Sequence, residues 1–273
     1  MQIHETAFVV STYRSFHEDI SKDVYAKLWN NAATDALIPE ILDSVSEHEA
    51  ILHSVRNRFF YEKMQSFFDT KNGGTLINFG SGFSMYQFSL PESVNTIEID
   101  KKDIIQYKKE KIDNWTTQGK LPKREIEYLA VDFNRRSAEE IVNAIRPLVK
   151  KTPTFILIEG VFFFLDRTTT DKLFQVFNLL QKPQDEVGCV TYLPEVENTS
   201  VYKRLLHYFD SHNDANDPFS HQTIPYFYFQ DLEGYTISEA TDEFELSKKY
   251  DANSRINNAT EVLNETLFLL KRT

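Results

Sequence analysis

Between Thr75 and Leu193 the chain alternates short apolar segments with segments whose apolar residues recur at helical spacing, and this alternation limits the fold more than any other feature. TLINFGSGF (75–83) reads as an apolar strand that runs into a glycine-rich turn. VNTIEID (94–100), IEYLAVDF (126–133), TFILIEGVFFF (154–164, with its exit) and EVGCVTYL (186–193) read as further strands. Between them DIIQYKKEKIDNW (103–115), SAEEIVNAIRPLV (137–149) and TTDKLFQVFNLL (169–180) read as helices, the second opened by Ser137 with Glu140 three residues on. Nearly continuous apolar strands separated by helices imply a mostly parallel sheet covered on both faces. GYTISEAT (234–241) and ETLFLLKR (265–272) supply two closing strands, for about seven in all.

Ahead of the sheet, residues 33–68 place Leu37, Ile41, Val45, Ile51, Val55, Phe59 and Phe60 at helical spacings, with Pro39 suited to a helix start, until Lys71-Asn72-Gly73-Gly74 breaks the pattern. The 273 residues suit one domain. It divides into a helical cap (1–72), a core (73–193), a lid inserted after the fifth strand (194–230) and the closing strands (231–273). With 30 Lys and Arg against 41 Asp and Glu, the net charge of −11 argues against a nucleic-acid partner, which would need a basic face. A single cysteine excludes a disulfide framework and a thiolate zinc cluster and fits a reducing compartment. The N-terminal stretch lacks the pattern of a signal peptide, and the longest apolar run, 154–165, is too short to cross a bilayer and is interrupted by Glu159. The expectation is a cytoplasmic protein without a membrane partner; the oligomeric state is left open.

In an open α/β sheet the ligand lies at the carboxyl ends of the strands. The first strand ends in Gly80-Ser81-Gly82, where glycine lets the backbone turn sharply and a ligand approach the main chain. Met85 stands where a dinucleotide fingerprint requires a third glycine, and the Lys-Ser/Thr pair of a P-loop is missing, so a pyrophosphate ligand is disfavoured. Glu98 and Asp100 end the second strand about 20 residues later, where a carboxylate accepts hydrogen bonds from ribose hydroxyls. Asp132 ends the third strand and Glu159 sits in the fourth. Acidic groups on consecutive strand ends suit a nucleoside that carries positive charge, and S-adenosylmethionine meets that description.

Four blocks resemble the leucine carboxyl methyltransferase family of class I S-adenosylmethionine-dependent methyltransferases, which includes phosphatase-methylating enzymes and bacterial natural-product O-methyltransferases. They are TAFVVSTYRSF (6–16) with DVYAKLW (23–29); VRNRFFYEKM (55–64); the stretch from Leu76 to Ile112; and AVDF (130–133) with ILIEGVFFFL (156–165). The resemblance implies a Rossmann-like class I methyltransferase sheet. It implies that Arg56, or alternatively Arg58, pairs with the cofactor carboxylate, with Arg14 in the same site. Gly80 and Gly82, flanking Ser81, would face the methionine portion, Asp100 would bind the ribose, Asp132 and Phe133 would hold the adenine, and Glu159 would lie near the cofactor amino group. Phe83 and Ser84-Met85-Tyr86 depart from the family's usual residues after the second glycine, which motivates an alternative: a methyltransferase-like protein that binds the cofactor without catalysis.

Methyl transfer from a sulfonium is an in-line displacement in which the protein mainly positions the nucleophile. A carboxylate acceptor needs no base, whereas a hydroxyl needs one. The acceptor region expected from the sequence is the aromatic stretch after the fifth strand, with Tyr192, Tyr202, Tyr208, Tyr226 and Tyr228. Lys203 or Arg204 would bind an acceptor carboxylate; His207, His212 or His221 would serve a hydroxyl as base. No His or carboxylate spacing suits a metal. The reading is an O-methyltransferase for a small molecule or peptide, a carboxylate being preferred to a hydroxyl.

Overall fold

The computed structural model describes residues 3–212 and 220–273. Helices α1 (Ile3–Phe16), α2 (Glu18–Ser21), α3 (Ala32–Ser44) and α4 (Glu49–Lys71) precede strand β1 (Gly74–Phe79). The alternating part comprises α5 (Tyr86–Ser89), β2 (Val94–Asp100), α6 (Lys102–Thr117), β3 (Ile126–Ala130), α7 (Ala138–Ile145), β4 (Thr154–Ile158), α8 (Arg167–Leu180) and β5 (Glu186–Thr191). The described chain closes with α9 (Ser200–His212), α10 (Tyr226–Gln230), β6 (Tyr235–Asp242), α11 (Glu243–Tyr250) and β7 (Thr266–Arg272).

The seven strands form one sheet in the order β3-β2-β1-β4-β5-β7-β6. The first five are parallel, and β7 runs antiparallel between β5 and β6. Strand order reverses between β1 and β4, which opens a crevice at their carboxyl ends. Alternate residues of the central strands feed two cores, as the two-residue period of a strand requires. Ile77, Phe79, Ile156 and Ile158 pack with Leu173, Phe174 and Phe177 of α8 and with α7. On the other face Leu76, Phe155 and Leu157 pack with Val55, Phe59, Phe60, Met64 and Phe68 of α4.

The helical region differs from its sequence reading. Pro39 lies inside α3, which is started by Asn31, whose side chain accepts from the Thr34 N–H. The chain then breaks at Val45–His48 before α4 begins, so the 33–68 pattern is two helices. Strands β3 and β4 end earlier than expected, at Ala130 and Ile158; after β4, Gly160, at φ +66°, turns the backbone into a short 3-10 segment at Phe162–Phe164. Asp132 and Glu159 therefore stand on the turns just beyond the strands. The sequence reading had no helix at α11; Asp242 caps it by accepting from the Glu245 N–H. No described helix is long and apolar enough to cross a membrane.

Candidate cofactor and acceptor site

Gly80-Ser81-Gly82 leaves β1 at the strand-order reversal with both glycines at positive φ, +65° and +42°. A Cβ on Gly80 would stand 2.3 Å from Cγ2 of Val161, so side-chain-free backbone is required there. The Gly82 N–H donates to Oδ2 of Asp100 at 2.8 Å, and the Lys101 N–H donates to Oδ1 at 2.7 Å. Asp100 thus ends β2 against the turn, its carboxyl raised above the usual range by burial, which those two N–H groups and Lys108 oppose. Beneath the turn, Lys108 of α6 donates to Glu98 at 2.6 Å and to the Ser81 carbonyl at 3.3 Å. Asn78 bridges Glu98 and Ser84, whose hydroxyl donates to the Ser81 carbonyl.

A cavity of about 330 Å³ opens above this turn. One end is lined by Arg14, Gly80, Ser81, Gly82, Asp100, Asp132, Phe133 and Glu159. The Ser81 hydroxyl is buried there without a hydrogen-bond partner. Arg14 is fixed by Asp23 at 3.0 Å and by the Phe83 carbonyl at 3.2 Å. The other end is an aromatic and aliphatic chamber of Tyr13, Ile41, Val45, Tyr192, Leu205, Tyr208, Phe209 and Leu263, with Glu49, His53 and Glu265 in its wall.

Arg56 lies where the two ends meet. Its Nε donates to Glu159 at 2.9 Å, and its Nη1 donates to Glu243 at 3.3 Å and to Glu265. Burial alone would lower its pKa, but the three carboxylates push it well above the ordinary value. Tyr86 donates its hydroxyl to the other oxygen of Glu159 at 2.7 Å. Glu243 and Glu265 are both raised, first by burial and then by neighbouring carboxylates, with Arg56 opposing.

Eleven residues were expected from the sequence to hold the cofactor, and nine line this cavity: Arg14, Arg56, Gly80, Ser81, Gly82, Asp100, Asp132, Phe133 and Glu159. Arg58 does not. Two residues along a helix turn a side chain about 200°, and Arg58 instead pairs with Glu62 at 2.5 Å, away from Arg56. Glu98 does not line it either; one pleat back along β2, it is fully buried against Lys108.

Of the ten residues named for the acceptor region, Tyr192 and Tyr208 line the cavity. Arg204 donates to the Val45 carbonyl at 2.8 Å and faces a separate surface groove with Lys203, His207 and His212, because these residues occupy the outer side of α9. His221 packs against Phe163 and Tyr202. Tyr226 is on the surface and Tyr228 donates to Asp171. The sequence reading missed Tyr13, Glu49, His53 and Glu265. Glu49, His53 and Arg56 stand at i, i+4 and i+7, one helical face, which is the signal that would have found the first two.

Residues 10–178 match the sequence profile of the family described as leucine carboxyl methyltransferase. The chain belongs to the leucine carboxyl methyltransferase family. It is a methyltransferase, and its cofactor is S-adenosylmethionine. The match holds nearly the whole cofactor end of the cavity, while Tyr192, Leu205, Leu263 and Glu265 of the chamber lie beyond it.

Among solved structures, a DUF574 family protein from Streptomyces avermitilis MA-4680 superposes with a TM-score of 0.64 at 10% identity, covering 98% of this chain and 97% of that one. A Thermobifida fusca YX protein gives 0.61 at 12% identity, covering 92% and 94%. Magnesium protoporphyrin IX methyltransferase from Synechocystis PCC 6803, with bound SAH, gives 0.53 at 8% identity, covering 97% and 100%. At these identities the likeness is one of fold, the Rossmann-like methyltransferase sheet. No curated protein matches the chain.

Proposed function

We propose that this methyltransferase transfers the methyl group to an oxygen of an apolar small molecule or peptide, as natural-product O-methyltransferases do. One observation carries the reading: the cofactor end and the aromatic chamber are parts of one cavity, so an acceptor in the chamber faces a cofactor lying on the glycine turn. Asp100 would hold the ribose, Asp132 and Phe133 the adenine, Glu159 the amino group, and Arg14 the carboxylate end, Arg56 being occupied by Glu159, Glu243 and Glu265. The unpartnered Ser81 hydroxyl and the open backbone at Gly82 suit a ligand on that turn. The bound sulfonium supplies an activated methyl group. The chain's own residues align the acceptor oxygen and keep water out, and the apolar wall of Ile41, Val45, Phe209 and Leu263 suits both tasks.

Two oxygen acceptors fit the family's chemistry. Family membership supports a carboxylate. A hydroxyl is supported by the charges in the chamber, where Arg56 is already shared among three carboxylates. Incubation with methyl-labelled S-adenosylmethionine and a panel of aromatic acids and phenols tests the reading. Labelled product that releases methanol in mild base is an ester; base-stable product is an ether. If no acceptor is methylated although the cofactor binds tightly, O-methyl transfer is refuted and the non-catalytic alternative is favoured.

A further inference from the structure

We propose that Glu49 is the general base of methyl transfer, and that the acceptor is a neutral apolar molecule presenting a hydroxyl group to Glu49 and Tyr13. The inference rests on the O-methyltransferase reading above and names its acceptor class and its base.

Glu49 opens α4 and lines the aromatic chamber. Its side chain is 9% exposed, yet Oε1 has no hydrogen-bond partner. Tyr13, a residue 2% exposed, lines the same chamber, and its buried hydroxyl is also without a partner. A buried polar atom without a partner is costly, so two of them on residues that line one cavity point to a ligand that completes them. An acceptor hydroxyl does so, since it can donate to Glu49 while its oxygen accepts from Tyr13.

The charges exclude the alternative acceptor. An anion entering the chamber would meet Glu49 and Glu265, and Arg56 is already shared by Glu159, Glu243 and Glu265. His53, with Nε2 3.8 Å from Glu49, offers no positive charge, because burial first and then Arg56 and Arg14 hold its pKa well below the ordinary value. The groups facing Glu49 are Tyr13 from α1, His53 and Arg56 from its own helix, Tyr192 after β5, Glu243 from α11 and Glu265 before β7. Burial and Glu265, opposed by Arg56, bring the Glu49 carboxyl to about 8. A base works best when its pKa lies near the working pH.

In the step, the acceptor oxygen forms its bond to the methyl carbon as the carbon–sulfur bond breaks. The bonding pair stays on sulfur, which becomes a neutral thioether, and the hydroxyl proton passes to the Glu49 carboxylate. Atoms and charge balance without a further reactant.

The test uses the full chain with two matched probes, 4-phenylphenol and biphenyl-4-carboxylic acid. Calorimetric titration with S-adenosylhomocysteine comes first; failure of the folded protein to bind it refutes the cofactor site itself. In the S-adenosylhomocysteine complex at pH 9, where a carboxyl at about 8 is ionised, the phenol should bind at least tenfold more tightly than the acid. Glu49→Gln should bring the two within threefold by relieving the acid's repulsion, with S-adenosylhomocysteine affinity unchanged. Transfer to the phenol should show a break near pH 8 in kcat/KM. In Glu49→Gln it should lose that break and fall about 100-fold, the lower range for general-base catalysis. Tyr13→Phe should weaken phenol binding and keep the break, which retains a test if Glu49→Gln fails to fold. The proposal is overturned if the cofactor product binds but the phenol does not, if the acid binds as tightly as the phenol, or if Glu49→Gln keeps both the rate and the break.

Discussion

Lys108→Met removes the buried ammonium beneath the glycine turn, and its effect can be worked from the geometry. Lys108 and Glu98 are both fully buried, 2.6 Å apart, and Lys108 also reaches the Ser81 carbonyl. Methionine keeps most of the side-chain length but leaves the Glu98 charge buried, relieved only by Asn78 at 3.2 Å. Breaking a buried pair from one side costs about 3–5 kcal/mol, a large part of the roughly 5–15 kcal/mol that holds a domain folded. Urea denaturation at pH 7 should therefore show a lower midpoint at unchanged slope. Replacing both partners, Glu98→Leu with Lys108→Met, removes the stranded charge, and a buried ion pair replaced by apolar residues is often neutral. The double variant should regain at least half of the loss. It should still bind S-adenosylhomocysteine more weakly than wild type, because the Ser81 carbonyl and Asn78 have lost the groups that fix the turn. A Lys108→Met protein within about 1 kcal/mol of wild type, or a double variant no more stable than the single, would show that the pair does not support the turn as argued.

Three further outcomes follow from the same geometry. Asp100→Ala should weaken S-adenosylmethionine binding tenfold or more, about 1.4 kcal/mol by calorimetry; unchanged affinity would remove Asp100 from the site. Gly80→Ala should destabilise by about 1–3 kcal/mol in denaturant melts, since the added Cβ meets Val161 at a positive φ, and Val161→Ala in the same chain should recover part of that loss. Glu49 also sets a slope of stability with pH. Its carboxyl rises from an ordinary 4.5 to about 8 on folding, so the stability it contributes is full below pH 4.5 and is lost as pH rises through 8. Glu49→Gln should flatten that decline by up to about 1.4 kcal/mol per pH unit in paired urea melts at pH 5 and 8; parallel wild-type and variant curves would refute the assignment.

The sheet was legible in the sequence because its central strands β1, β4 and β5 are buried on both faces and so stand out as apolar runs between helices. The cofactor end was legible because the fold puts such residues at fixed places, the turn after β1 and the ends of β2, β3 and β4. What failed had specific physical causes. Glu98 shares a strand face with Asp100, and only the buried ammonium of Lys108 decides that Glu98 is structural. Arg56 and Arg58 share one motif, and only the helical rotation between them separates cavity from surface. Charged residues of α9 fall in the aromatic stretch after the fifth strand that the sequence marks as the acceptor region, yet Arg204 and His207 occupy the helix's outer side. Helix α11 was hidden by its mixture of charged and apolar residues, and with it the third carboxylate on Arg56.

This division bears on how far the family can inform the acceptor. The match ends at residue 178, with the cofactor end almost complete. The chamber is assembled from both sides of that boundary: Tyr13, Ile41, Val45 and Glu49 inside it, Tyr192, Leu205, Leu263 and Glu265 outside. Arg56 joins the two parts, since Glu159 lies inside the match while Glu243 and Glu265 lie beyond it. A guanidinium with one carboxylate partner retains attraction for an anionic acceptor; with three it has none to spare, because each added carboxylate offsets its field at short range. The closing elements therefore change the charge of the site without touching the cofactor residues. Glu265→Gln should return part of that positive character, bringing biphenyl-4-carboxylic acid binding in the S-adenosylhomocysteine complex closer to that of 4-phenylphenol. If the acid's affinity does not rise in this variant, the carboxylates around Arg56 do not govern acceptor charge.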